Sequence, residues 1–261
     1  MVKVRKWRGR FGNQLFMYVY ARLLAEQNGL QLCADLPAQD ILKTTPPKSG
    51  AIIDDPICQV EDFKPMPTGQ KCYIISEHHQ TDIALYNKHR EHIRSFFTFP
   101  PDTPDGPGPN DLVVSLRLGQ DFSRNKAVIV PRWYRSIINN EKFEHMYILG
   151  ADSTEPYLRA FAGLSYTLVN IDFIDNFHFI RRAKKLICSN STYAWWAAFL
   201  GHAEPLYTLK PWTPGQIRRS RAQPTWNPSL IEGAKAIKGK FLRRYQSTTD
   251  YRSGRYIRLP T

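Results

Sequence analysis

The chain has 261 residues, of which 42% are hydrophobic and 13% aromatic, and a formal charge of +13 from 36 Lys+Arg against 23 Asp+Glu. That composition excludes a wholly disordered or collagen-like protein, and at roughly 150 residues per domain it allows one large or two small domains. The charge is uneven: residues 216–261 hold 11 basic and 2 acidic side chains, so most of the excess lies in that stretch.

No run approaches the ~18 consecutive apolar residues of a membrane span. The basic segment 1–10 has no apolar core after it, unlike a secretory signal. The 4 cysteines, Cys33, Cys58, Cys72 and Cys188, form no C-x-x-C pair. They are expected to be free, buried thiols in a reducing compartment.

Short apolar runs alternate with helical spacings, which predicts an α/β chain. After the turn at 9–12, Leu15, Tyr18, Val19, Ala21 and Leu23 predict a helix that Asn28-Gly29 ends. A strand is predicted at 31–34, an irregular proline-rich region at 37–67, a strand at 71–75 and a helix over 82–97. The Pro/Gly-rich run 100–109 predicts a linker. Beyond it, strands are predicted at 112–116, 146–149, 166–169, 186–188 and 205–209. Helices are predicted at 131–139, 175–184 and 193–200, with Pro131 suited to a first turn.

Three constellations point to anion chemistry. Gly9-Arg10-Phe11-Gly12-Asn13-Gln14 stands before a helix: glycines admit close backbone approach, the helix start offers N–H groups, and Arg10 offers a fork for phosphate. Asn13 supplies a donor and an acceptor. The alternative is a tight turn with a capping Asn. In Ser115-Leu116-Arg117-Leu118-Gly119-Gln120-Asp121, an Arg ends a buried strand, where open α/β sheets bind ligands. There Arg117 could meet charge developing on a leaving phosphate, or simply pair with a carboxylate such as Asp121. Cys188-Ser189-Asn190-Ser191-Thr192-Tyr193-Ala194-Trp195-Trp196 joins a strand to a helix through four small polar residues, a second anion cradle. Trp195 and Trp196 read as helix core. One diphosphate bridging two domains would account for all three.

Taken in order, these motifs resemble those of the fucosyltransferase superfamily that uses GDP-fucose. Gly9-Arg10-Phe11-Gly12-Asn13-Gln14 resembles the Gly-rich loop shared by bacterial α-1,2-fucosyltransferases and protein O-fucosyltransferases. Ser76-Glu77 and Ile93-Arg94-Ser95-Phe96-Phe97 are similar to a segment of the α-1,2 family. Residues 115–121 resemble the superfamily's His-x-Arg-x-Gly-Asp-type motif, and 190–196 resemble the α-1,2 family's Asn-Ser-Thr-Phe-Ser-Trp-Trp. The resemblance covers about 4–212. It implies a GT-B-like α/β fold, two Rossmann-like units facing a donor cleft, and inverting, metal-independent transfer of fucose to a galactose-type glycan hydroxyl. No Asp-x-Asp occurs in the chain, and no cofactor is implied beyond GDP-fucose as donor substrate.

By resemblance, Gly9, Arg10, Phe11, Gly12, Asn13, Ser115, Arg117, Asn190, Ser191 and Thr192 bind the donor. Arg117, Asn13 and Asp121 are the implied catalytic residues, with Asp121 as proton acceptor or acceptor contact. The family's His is Ser115 here, its second Arg is Leu118, and its acid maps to Gln120 or Asp121. These departures leave open another nucleotide sugar or a catalytically degenerate binding protein. The implied organisation is an N-terminal unit on the acceptor side (1–100), a linker (101–110), a nucleotide-sugar unit (111–215) and a basic extension (216–261). The acceptor is expected on 37–67. The extension's aromatics Trp226, Phe241, Tyr245, Tyr251 and Tyr256 also fit nucleic acid, but the motifs favour a nucleotide sugar and a glycan as partners, with no nucleic acid. A cytoplasmic location is expected. The extension could be a solvated tail or could draw the protein to anionic lipid at the inner membrane face, near a lipid-linked acceptor, at up to about 1 kcal/mol per basic residue near the surface.

Overall fold

The structure, a computed structural model, describes residues 1–37, 41–47, 73–76, 83–101, 106–124, 127–209, 231–242 and 245–246. It divides into two compact units, Met1–Pro101 and Asp102–Thr261. Most of the region 37–67, Glu77 and all of 247–261 lie outside the described residues.

The first unit runs β1 (Val2–Val4), α1 (Phe11–Gln27), β2 (Leu32–Cys33), β3 (Lys43–Thr44), β4 (Tyr73–Ile75), α2 (Ile83–Lys88), α3 (Arg90–Arg94) and β5 (Phe97–Thr98). Its 3-stranded sheet has the order β2-β1-β4. Both pairings are parallel, with Val2 opposite Leu32 and Tyr73. β3 and β5 form an antiparallel ribbon. Where 82–97 predicts one helix, the chain makes two, because His89 leaves helical geometry at φ −105°, ψ 21°.

α1 is buried around its whole circumference from Leu15 to Glu26. Its apolar side chains Met17, Tyr20, Ala21, Leu24 and Ala25 form a core with Val2 and Ile75. Arg22 is buried with them at 1% exposure. A buried guanidinium needs partners for its N–H groups. Nε donates to Glu26 at 3.0 Å. Nη1 donates to the Thr45 carbonyl at 2.7 Å, and Nη2 to Thr45 Oγ1 at 3.2 Å and the Pro46 carbonyl at 3.0 Å. The Phe96 ring lies 4.0 Å below the guanidinium carbon. Glu26 Oε2 meets His92 Nε2 at 2.6 Å. One side chain thus ties α1 to the segment after β3 and to the α3–β5 junction.

The second unit runs β6 (Leu112–Ser115), α4 (Gln120–Arg124), α5 (Pro131–Ile138), β7 (Met146–Leu149), a 3-10 helix (Pro156–Phe161), β8 (Thr167–Val169), α6 (Phe173–Arg182), β9 (Lys185–Ile187), α7 (Thr192–Leu200), β10 (Leu206–Leu209) and β11 (Lys235–Ile237). Its 6-stranded sheet has the order β8-β7-β6-β9-β10-β11. Every pairing is parallel. Numbered within the unit, this is the doubly wound order 3-2-1-4-5-6. All four residues of β6 are buried, which is why it reads as a continuous apolar run rather than an alternating one. Leu112 and Val114 join a core with Trp133, Tyr134 and Ile137 of α5. Asp172 starts α6 by accepting from the N–H groups of Ile174 and Asp175, both at 2.8 Å. Among the described residues, no helix is long and apolar enough to cross a membrane.

The basic stretch that composition separates as 216–261 does not stay outside this unit. β11 pairs with β10, Tyr207 opposite Lys235 and Leu209 opposite Ile237. Trp133 Nε1 donates to the Ile237 carbonyl at 3.2 Å. Phe241 is in the core and bridges to Ile129. Lysines 235, 238 and 240 are exposed while Phe241 is buried. An edge strand guarded by lysine is a usual device against aberrant pairing, and here it disguises a strand as a solvated tail.

Replacing Arg22 with Ala removes the guanidinium paired with buried Glu26 and takes a donor from the carbonyls of Thr45 and Pro46. Breaking a buried pair in this way costs about 3–5 kcal/mol, so Arg22→Ala should show that loss in urea unfolding. Glu91, whose side chain is 81% exposed in its 3.7 Å pair with Arg94, supplies the contrast: Glu91→Gln should lose no more than about 1 kcal/mol.

A crevice at the carboxyl edge of the parallel sheet

Between β6 and β9 the strand order reverses. Beyond the carboxyl ends of such strands a doubly wound sheet opens the crevice in which it binds ligands. Two of the three sequence constellations end there. Ser115, the last residue of β6, is buried, and its Oγ lies 3.3 Å from Ser189 Oγ, just past β9. The serines are 74 positions apart and meet only because β6 and β9 are neighbours.

The loop after β9 is built around Asn190, which is 2% exposed. Its Nδ2 donates to the Ala127 carbonyl at 3.0 Å, tying the two loops across the crevice. Its Oδ1 is equally buried and takes no hydrogen bond among the described residues. An unmatched buried acceptor costs about 1–3 kcal/mol, and a ligand O–H or N–H would satisfy it. Ser191 is the N-cap of α7 but makes no side-chain cap bond. Thr192 begins the helix, half-buried. The positive end of the α7 dipole therefore faces the crevice side of the sheet, a favourable place for an anion. Trp195 and Trp196 are fully buried, and Trp195 stacks on Phe199 at 4.8 Å. Their role is to anchor α7.

Arg117 leaves β6 by two residues. Its Nη2 donates to Asp121 Oδ2 at 2.9 Å. Its guanidinium carbon sits 4.7 Å from the centre of the Phe122 ring. The side chains are 16% and 37% exposed, so the pair stands at the surface of the crevice region. The carboxylate partner anticipated at this spacing is therefore present, and Asp121 is engaged with Arg117 rather than standing alone as a base. Gln120 instead accepts from Arg124 at 3.0 Å. Leu118 and Ser115, which differ from the motif that this segment resembles, each have a local packing role. Leu118 is 1% exposed and packs into the core, where an arginine would be buried. Ser115 fills its place with a short side chain bonded to Ser189.

The first constellation belongs to the other unit. Gly9 has φ +69°, and a Cβ on it would lie 2.2 Å from Asn13 Nδ2, so this turn requires glycine. Arg10 is exposed and is the N-cap of α1. Its carbonyl accepts from Asn13 N at 2.8 Å and Gln14 N at 3.1 Å. Phe11 and Gly12 are buried and Asn13 half-buried. The loop is thus a tight strand-to-helix turn with an exposed guanidinium.

Sequence reasoning named Ser189 only as part of a small polar run and passed over Gly150. Gly150, after β7, has φ +85° and would place a Cβ 2.3 Å from the Leu116 carbonyl. That close approach holds the β6 exit in place. Among the described residues, no group of three or more His, Cys, Asp or Glu could hold a metal ion. Comparison of the chain with protein-family models, curated proteins and solved structures found no match.

The cysteines correct one expectation. Cys33 is exposed and Cys188 buried, while Cys58 and Cys72 lie outside the described residues. Burial pushes the Cys188 thiol up to about 12, so at pH 8 it stays protonated, and the thiolate is the reactive form. Iodoacetamide should therefore modify Cys33 in the native protein and reach Cys188 only after unfolding, as peptide mapping would show.

Proposed function

We propose that this protein is an inverting, metal-independent glycosyltransferase that moves fucose from GDP-fucose to a glycan hydroxyl, in α-1,2 linkage to a galactose-type acceptor, with a GT-B arrangement of its two units. The observation that carries the reading is the meeting of Ser115-x-Arg117 with Ser189-Asn190-Ser191-Thr192 at the switch point of a doubly wound sheet. These two motifs resemble the donor-binding motifs of the fucosyltransferase superfamily, and chain topology gives each a reason to be there.

In this reading the diphosphate lies against the amino end of α7, with Ser191 and Thr192 as hydroxyl donors. Asn190 Oδ1 accepts from a donor hydroxyl or base N–H. Arg117 faces the β-phosphate. As the acceptor oxygen bonds to the anomeric carbon, the bond from that carbon to the β-phosphate oxygen breaks and charge grows on the diphosphate. A guanidinium already oriented by Asp121 meets that charge without reorganising. The acceptor proton is lost late, when bond formation has acidified it, so a weak acceptor suffices: the Asp121 carboxylate or the departing diphosphate. From the first unit, Arg10, Phe11 and Asn13, with Gly9 and Gly12 shaping the turn, contribute donor contacts. The enzyme works in the cytoplasm, with the basic residues of 247–261 drawn to anionic lipid near a lipid-linked acceptor.

The Arg117–Asp121 ion pair favours one competing reading, a binding protein in which Arg117 is structural. Turnover decides between them. Purified protein should consume GDP-fucose, and Arg117→Ala should lower kcat by about 10²–10³. Equal turnover by both proteins would take Arg117 out of the chemistry, and GDP binding with no turnover of any nucleotide sugar would favour the binding protein. Tighter calorimetric binding of UDP or ADP than of GDP would change the donor.

A further inference from the structure

The described end of the C-terminal stretch returns to α4. Tyr245 and Gln246 line a cavity of about 350 Å³ together with Gln120, Ser123 and Arg124. Small-molecule sites span roughly 300–1,000 Å³. The walls are held from behind. The Tyr245 hydroxyl donates to Glu155, a carboxylate buried at 2% exposure. The Tyr245 ring meets Tyr157 edge-on at 5.7 Å, and Tyr157 donates to the Ile129 carbonyl at 2.6 Å. On the other side, Ser123 Oγ donates to the Gln120 carbonyl at 3.0 Å and Arg124 Nη2 to Gln120 Oε1 at 3.0 Å.

The lining chemistry selects the occupant. Among the described residues it consists of two carboxamides, a hydroxyl, a phenol and a guanidinium. Carboxamides and hydroxyls both donate and accept, as a saccharide's hydroxyl groups require. Arg124 is exposed and makes no ion pair among the described residues. Its planar fork matches a carboxylate or a phosphate. The position is also informative: Gln120 precedes Asp121 on α4, and Asp121 holds Arg117. The cavity therefore shares its short helix with the carboxylate that pairs with Arg117.

We propose that this cavity is the acceptor subsite and that it takes a saccharide unit bearing a negatively charged group, its anion on Arg124 and its hydroxyls on Gln120, Ser123 and Gln246. The word acceptor rests on the glycosyltransferase reading; recognition of an acidic saccharide does not. It moves the acceptor from the proline-rich region 37–67 to a surface that the basic stretch helps to build.

The test titrates galactose, galacturonate, galactose 6-phosphate and inorganic phosphate into the full-length protein saturated with GDP. The readouts are calorimetry and saturation-transfer NMR. Galacturonate and galactose 6-phosphate should bind at least ten-fold more tightly than galactose. Arg124→Gln should reduce them to the level of galactose, and Arg124→Lys should keep part of the preference. Equal affinities in the wild type, a preference that survives Arg124→Gln, or binding of none of the sugars would overturn the proposal. Inorganic phosphate binding as tightly as galactose 6-phosphate would replace the saccharide with a simple anion. A separate GDP titration keeps the two readings apart: absence of GDP binding would remove the donor assignment, and the sugar titrations on the same protein would still decide the cavity.

Discussion

The parallel pairing of β6 with β9 is the constraint on which the candidate site depends. β6 is the first strand of its unit and β9 the fourth, so the chain must complete the β6–β7–β8 half before it can return to lie beside its own beginning. In doubly wound sheets, right-handed crossovers carry the two halves to opposite faces. In such sheets the loops after the two central strands diverge, and the crevice between them lies at the strand ends. Ser115 and Ser189 touch there, Asn190 reaches across to Ala127, and α7 starts beside them. None of these contacts is local in sequence, and each would be lost if β9 paired elsewhere.

Fixing that crevice takes buried structure on both sides of it. Gly150 lets the β7 exit press against the Leu116 carbonyl. Trp195, Trp196 and Phe199 are buried against one another and anchor α7. Arg117 is oriented twice, by Asp121 along the helix direction and by the Phe122 ring beneath it. Groups set in place before a charge develops stabilise it more than groups that must first rotate. Asn190 Oδ1 is buried without a hydrogen bond among the described residues, and a ligand is a natural partner for it.

Much of this was legible in the residues and some was not. The strands at Leu112–Ser115 and Met146–Leu149 read directly, because strands buried on both faces are continuous apolar runs. The nearness of Asp121 in sequence made a pair with Arg117 foreseeable. β11 was not, because its three residues, Lys235-Ala236-Ile237, are too few to stand out in a stretch dominated by basic side chains. α4 is only five residues long and mixes charged and apolar side chains, too short for a period to emerge. The Ser115–Ser189 contact depends on strand order, which local patterns do not encode. Arg22 shows the same limit within the first unit: a charged side chain inside an apolar helix reads as solvated until the carbonyls of Thr45 and Pro46 arrive to receive it.

The central claim is that a nucleoside diphosphate lies across the carboxyl ends of β6 and β9. Hydrogen–deuterium exchange of the full-length protein with and without saturating GDP tests it most directly. The account predicts slower exchange in peptides covering residues 115–121 and 188–194, with no change at the amino ends of the same strands. Saturable GDP binding that leaves both peptides unprotected would contradict it.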